Sequence, residues 1–270
     1  LGTADTAPKG SGYLTLTVGN EGSATIAGMM ADGTRVSQAS RLILFEGCGP
    51  EACVPFFTPL YAGKGWTGGL LWIDFSAHTV VTDRYLGWFI RWEKPASVLD
   101  GFSALLDVCG GLYDTPPTLA LQYLFTAETN SIPYHYRGGV AALQTAALPN
   151  SIIVTTSNNQ MSMARWTLPA LANSAYDYSE ANTAMTTLFF NARTGIFWGN
   201  FNLYYDYVAD GRLQHKTVVV PYSGVLTPIR SADFANEPTG QGYYLVPDSD
   251  PAVKSHNLRL SYQVWLDAVP

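Results

Sequence analysis

Residues 188–203 read Leu-Phe-Phe-Asn-Ala-Arg-Thr-Gly-Ile-Phe-Trp-Gly-Asn-Phe-Asn-Leu, residues 217–226 read Thr-Val-Val-Val-Pro-Tyr-Ser-Gly-Val-Leu, and residues 240–246 read Gly-Gln-Gly-Tyr-Tyr-Leu-Val. Phe197, Gly199, Phe201 and Leu203 recur at every second position, the period of a half-buried strand. Asn191 to Gly195 reads as the turn before them, with Gly195 in the left-handed region that glycine enters without strain. Asp210-Gly211 is a tight-hairpin signal. The whole stretch from Thr187 to Val246 is therefore strands and turns.

A looser copy runs from Leu14 to Phe75. Leu14, Leu16 and Val18 alternate with Thr15 and Thr17. Asp32-Gly33 matches Asp210-Gly211, Val54-Pro55-Phe56 matches Val220-Pro221-Tyr222, and Gly63-Lys64-Gly65-Trp66 matches Gly240-Gln241-Gly242-Tyr243. Landmarks in the same order predict two related halves, 14–75 and 187–246. Prolines at 55 and 59 predict an edge or bulged strand, since proline has no N–H to give a ladder.

The segment joining them, 76–186, is less regular. Arg84 to Trp92 reads as a strand with Trp88, Ile90 and Trp92 on one core-facing side. Pro95 to Pro117, with a short apolar run from Phe102 to Val108 among many breakers, reads as a wrapping loop with short strands. Leu119–Phe125, Ser151–Thr156 and Met161–Leu168 read as further strands, and Ser174–Met185 as a short helix. No hydrophilic linker splits the chain, so one domain over 1–270 is expected. The fold class is all-β, mainly antiparallel, a barrel-like or sandwich domain of two related halves with pseudo-twofold symmetry.

Only 13% of the 270 residues are charged, with a formal net charge of −6. Soluble domains average about 25% charged. A polar but uncharged surface suits an extracellular β protein. No Lys/Arg run offers a footprint for nucleic acid. No apolar run nears the roughly 20 residues of a spanning helix, so no membrane span is expected. The N-terminus lacks the pattern of a signal peptide and reads as the start of a mature or excised chain. There is no Asn-x-Ser/Thr sequon.

Gly12-Tyr13 with Leu14 to Val18, Ala31 to Thr34, Pro59 to Tyr61 with Gly63 to Gly65, Trp92 to Pro95, Gly101-Phe102, Thr194 to Gly199, Ser223 to Val225 and Gly240 to Tyr243 occur in that order. Together they resemble an uncharacterised β-rich module of large secreted bacterial proteins. That module often lies C-terminally, after immunoglobulin-like or other β-repeat arrays. The resemblance implies an extracellular, surface-associated role and supplies no catalytic residues.

Cys48 and Cys53 bracket Gly-Pro-Glu-Ala. Such a turn keeps Cα atoms within the roughly 7 Å a disulfide needs, so a bridge is expected in an oxidising compartment. Cys109 is expected to be a buried hydrophobe. No Gly-x-Ser-x-Gly elbow, phosphate loop or His-Glu-x-x-His motif occurs. Asp74, His78 and a serine make a triad only on paper, and Asp74 with Asp83 reads as a pair of turn formers. No cofactor is expected. Calcium is the one metal that loop oxygens suggest, at Asp248 and Asp250 or at Asp206 with Asp210.

Three tyrosine clusters remain: Tyr134 with Tyr136, Tyr176 with Tyr178, and Tyr204-Tyr205-Asp206-Tyr207. Each falls in a segment read as loop or strand end. Tyrosine offers a flat apolar ring with a polar handle, so these are the candidate binding residues, the other reading being rings that cover the open ends of the sheets. The tip at 204–207 is expected to be exposed. The expected function is a non-catalytic structural or adhesive module on a bacterial surface. Its partners would be other protein domains or like subunits, joined by strand addition. A carbohydrate-binding module that takes glycans is the alternative, with a carbohydrate-active enzyme behind it.

Overall fold

Alternation along three short segments builds the first sheet: Tyr13–Val18 (β1), Ser23–Met29 (β2) and Arg35–Arg41 (β3). β2 buries Ala24 and Ile26 and exposes Ser23, Thr25 and Ala27. The strands follow one another as an antiparallel meander, β1-β2-β3. A computed structural model describes residues 7–44, 51–81, 89–98, 101–113, 140–145, 153–154, 164–167, 187, 189–191, 193–209, 212–226, 240–247 and 259–269. Contacts divide the chain into two compact units. One is built on Gly12–Leu112; the other is built on Tyr113–Leu226 and Pro238–Pro270 and takes in Lys9–Ser11.

The first unit holds a second sheet: Ile43–Leu44 (β4), Glu51–Leu60 (β5), Gly65–Asp74 (β6), Thr79–Val81 (β7), Ile90–Lys94 (β8), Phe102–Leu106 (β9) and Cys109–Gly111 (β10). Its order is β10-β7-β6-β5-β4, with β8 pairing β6 and β9 pairing β8. β5 and β6 pair over their full length, Glu51 opposite Asp74 and Leu60 opposite Gly65. Even positions of β5 and odd positions of β6 face inward. Val54, Phe56, Leu71, Ile73, Ile90, Trp92 and Phe102 form one core with Ile26, Met30 and Val36 of the first sheet. Trp92 is core, as its shared face with Ile90 predicts; Trp88 lies outside the described residues.

The prolines of β5 sit where the reading of the sequence puts them, at an unpaired edge. β4 covers that edge only opposite Ala52 and Cys53. Beyond it, side chains of β3 take over. Ser40 Oγ donates to the Pro55 carbonyl at 2.7 Å, and the Gln38 amide donates to the same oxygen at 3.4 Å while accepting from the Phe57 N–H.

The second unit is one eight-stranded sheet: Val140–Thr145 (β11), Ile153–Val154 (β12), Ala164–Thr167 (β13), Phe189–Phe190 (β14), Ile196–Ala209 (β15), Arg212–Leu226 (β16), Gly240–Pro247 (β17) and Arg259–Val269 (β18). The order is β12-β15-β16-β17-β18-β11-β13, with β14 also on β15. Gly195 has φ +71°, the left-handed turn read from the sequence. A Cβ there would lie 3.1 Å from the Tyr113 ring, so space as well as backbone favours glycine. One face of the sheet buries Phe197, Phe201, Tyr222, Tyr244 and Tyr262. Phe201 meets Tyr244 edge-on at 5.2 Å, and Tyr244 stacks on Tyr262 at 5.4 Å.

All-β and antiparallel are thus observed, in three sheets of which none closes into a barrel. The described strands do not confirm the internal repeat. Residues 14–75 run through two sheets, with β4 between the strand after Asp32-Gly33 and the strand that holds Pro55. In 187–246, Pro221 stands on β16 itself, one residue outside its ladder with β17. Proline recurs because both places lack a ladder partner, which needs no common ancestry of the halves.

One further expectation is corrected. Cys53 is a free, buried thiol. The turn read between the cysteines gives way to strand from Glu51, which places Cys53 between Ile43 and Trp72 in the sheet; Cys48 lies outside the described residues. Residues 204–207, read as the extension of a hairpin that turns at Asp210-Gly211, are strand. They lie within β15, opposite Thr217, Lys216, His215 and Gln214, and the chain reverses only after Ala209.

Candidate functional site

The outward face of β5, β6, β8 and β9 carries the best-defined group of exposed side chains. Register sets them in two rows. Phe57, Gly68, Arg91 and Leu105 make one; Pro59, Trp66, Glu93 and Ser103 make the other. Neighbouring strands are about 4.8 Å apart and successive outward residues about 7 Å apart. Ladder pairing, not loop structure, fixes the spacing.

Phe57 stacks on Trp66 with ring centroids 5.7 Å apart and planes 29° apart. Phe57 is nonetheless 57% exposed. Its ring leans over Gly68, where a Cβ would come within 2.8 Å of the Phe56 carbonyl and 3.0 Å of the Phe57 ring. Any larger residue at 68 would displace the ring. Pro55 and Pro59 flank Phe57 on the same strand and stiffen it.

The polar part lies one strand across. Arg91 Nε pairs with Glu93 Oε1. Ser103 Oγ donates to that same oxygen at 2.7 Å. The Ser103 hydrogen bond and then the Arg91 charge hold the Glu93 carboxyl below the usual carboxylate range, so it is ionised at neutral pH. Both bonds fall on Oε1, which leaves Oε2 as an acceptor. The Arg91 side chain is 54% exposed and keeps the other N–H donors of its guanidinium. The face therefore combines an exposed Phe57 ring, stacked on a half-buried Trp66, with one donor group and one acceptor group whose charges cancel.

The second unit presents a similar aromatic pair. Phe189, 50% exposed, stacks on Trp198, 43% exposed, at 6.2 Å and 23°. Across the ladder Trp198 faces Ser223, and the next outward residue on its strand is Asn200. No ion pair flanks this pair among the described residues.

Of the residues singled out from sequence, Tyr204, Tyr205, Asp206 and Tyr207 have a described backbone, paired on β16 and, at 205 and 206, also on β12. Tyr134, Tyr136, Tyr176, Tyr178, Cys48, Asp83, Asp210, Asp248 and Asp250 lie outside the described residues, as do Leu119–Phe125 and Ser174–Met185. Asp74 is a turn former. Its Oδ1 accepts from Ser76 N at 2.7 Å, Ser76 Oγ at 2.6 Å and Ala77 N at 2.9 Å. These hydrogen bonds, the Ser76 hydroxyl foremost, lower its pKa.

Sequence reading passed over Phe57, Trp66, Arg91 and Glu93. A signal existed: in Pro55-Phe56-Phe57-Thr58-Pro59 only one of the adjacent phenylalanines can face inward. Alternation with Val54 and Leu60 assigns Phe56 to the core and leaves Phe57 outside. No family, curated protein or solved structure matches this chain.

Proposed function

We propose that the chain is a non-catalytic extracellular module, structural or adhesive, within a bacterial surface protein or assembly. The observation that carries this reading is the outer face of the first unit. Phe57 stays largely in water although it is held in place by stacking on Trp66 and by strand pairing. An exposed ring fixed on a sheet loses little conformational freedom on contact, and its burial recovers about 25 cal/mol per Å². The low charge content and the resemblance to secreted bacterial modules point the same way.

Attachment of the labelled full chain to intact bacterial and host-cell surfaces tests the reading. Phe57→Ser should lose attachment while melting at nearly the wild-type temperature. A triple variant at Tyr204, Tyr205 and Tyr207 serves as the competing arm. Attachment that survives the first variant and fails in the second would move the contact to β15 and sink the present assignment.

A further inference from the structure

We infer that the outer face of β5, β6, β8 and β9 binds a neutral glycan, with a pyranose ring laid on Trp66 and Phe57 and neighbouring hydroxyls held between Arg91 and Glu93. The inference rests on the binding role proposed above and names its ligand class. A sugar ring has an apolar C–H face and a rim of hydroxyls that both donate and accept. It needs an aromatic plane beside a paired donor and acceptor; here Trp66 is one strand, about 4.8 Å, and Phe57 two strands from the one that carries Arg91 and Glu93.

Charge selects among glycans. Arg91 and Glu93 are already paired, so the face offers no net charge to an acidic sugar. The chain as a whole carries −6, which repels polyanions. Glu93 remains ionised and so acts as an acceptor toward a hydroxyl, with Oε2 available. Arg91 supplies N–H donors in a planar array. Size argues against a protein partner. The aromatic and charged patch, eight residues on four strands and two rows, covers on the order of 300 Å², against about 800 Å² per partner in a standard protein interface.

Native gels of the full chain cast with mannan, β-1,3-glucan, xylan or galactan, and with the acidic polymer alginate, give the test. At least one neutral polymer should retard the protein and alginate should not. Phe57→Ala and Trp66→Ala should each weaken retardation about tenfold or more, as for a central aromatic anchor. Glu93→Gln keeps the shape but loses the charged acceptor and should weaken it less. Trp198→Ala removes an exposed ring from the second unit and should change nothing. Melting curves accompany each variant; Phe57 is so exposed that its variant stays folded even if Trp66→Ala does not.

No retardation by any of the four neutral polymers overturns the inference. So does retardation by alginate alone, or retardation that Phe57→Ala leaves intact or Trp198→Ala removes. If the Phe57 and Trp66 variants lose cell attachment while no neutral polymer is bound, the glycan inference falls and the adhesive role stands.

Discussion

The Tyr61 hydroxyl donates to Asp32 Oδ2 at 2.6 Å and accepts from Trp92 Nε1 at 3.0 Å. Asp32 sits in the turn between β2 and β3, and Trp92 lies in the core on β8. One phenol thus ties a turn of the first sheet to the interior of the second. Asp32 also caps its own turn, accepting from Thr34 N at 2.9 Å. Tyr61 and Ala62 hold φ of +55° and +56°, a region that costs non-glycine residues of order 1 kcal/mol each. The hydrogen bonds at the ring's far end help to hold that conformation.

Tyr61→Phe should lower unfolding stability by about 1–2 kcal/mol, because it leaves the buried Trp92 N–H without its acceptor. The pH dependence carries a second signature. Burial, and then Asp32, raise the Tyr61 pKa above the ordinary tyrosine value. The folded chain therefore holds this proton more tightly than the unfolded one. Its contribution is complete below about pH 10, the unfolded value, and falls as pH rises above it. Urea unfolding at pH 8 and pH 11 should show a smaller alkaline loss in Tyr61→Phe than in the wild type. Equal losses would remove Tyr61 as the titrating group.

Thr58 and Thr67 face each other across β5 and β6, both buried, and neither hydroxyl has a partner among the described residues. Valine has nearly the same shape and no hydroxyl to desolvate. Thr67→Val should raise stability by about 1 kcal/mol. A drop in melting temperature would show that the hydroxyl is satisfied in solution.

Cys53 and Cys109 stand in one row of the first unit's sheet, separated by Trp72 and Val81. Three strand spacings amount to about 14 Å, twice the reach of a disulfide. Burial raises the Cys53 pKa, which suppresses the reactive thiolate. Cys53 should resist iodoacetamide in native buffer and react fully in denaturant without reductant. A Cys53-containing disulfide peptide in a non-reducing digest would contradict the free thiol.

Local signals revealed the strands but not their partners. Leu14 to Val18 alternates cleanly and forms β1. Glycine and Asp-Gly turns fell where φ is positive, at Gly33 and Gly195. The last strand, Arg259–Val269, shows the same alternation in Leu260, Tyr262, Val264 and Leu266, and was there to be read. Sheet membership was not. Pro55 and Pro221 look alike in sequence because each marks a missing ladder partner, and sequence does not say which neighbour is missing. The candidate face was hidden for a related reason. Phe57, Trp66, Arg91 and Glu93 come from three strands, and only register brings them together.

Gln38 is a side chain doing the work of a strand. On β5 the backbone groups of Pro55 and Phe57 point away from β6, toward an edge that β4 does not reach. Pro55 has no N–H to satisfy there, and the Gln38 amide supplies the rest by accepting from Phe57 N–H and donating to Pro55 C=O. Ser40 adds a second donor to the same carbonyl. An open edge invites pairing with another chain, and this arrangement covers it beside the exposed Phe57 ring. Gln38→Ala should speed amide exchange at Phe57 by about fivefold to tenfold, the equivalent of one hydrogen bond near 1 kcal/mol. Gln38→Glu separates the two halves of the bond. An ionised carboxylate at 38 still accepts from Phe57 but offers nothing to Pro55, so Phe57 should stay protected while stability falls less than in Gln38→Ala. Exchange at Phe57 that is equally fast in the wild type and in Gln38→Ala would mean that the edge is open and that Gln38 does not cover it.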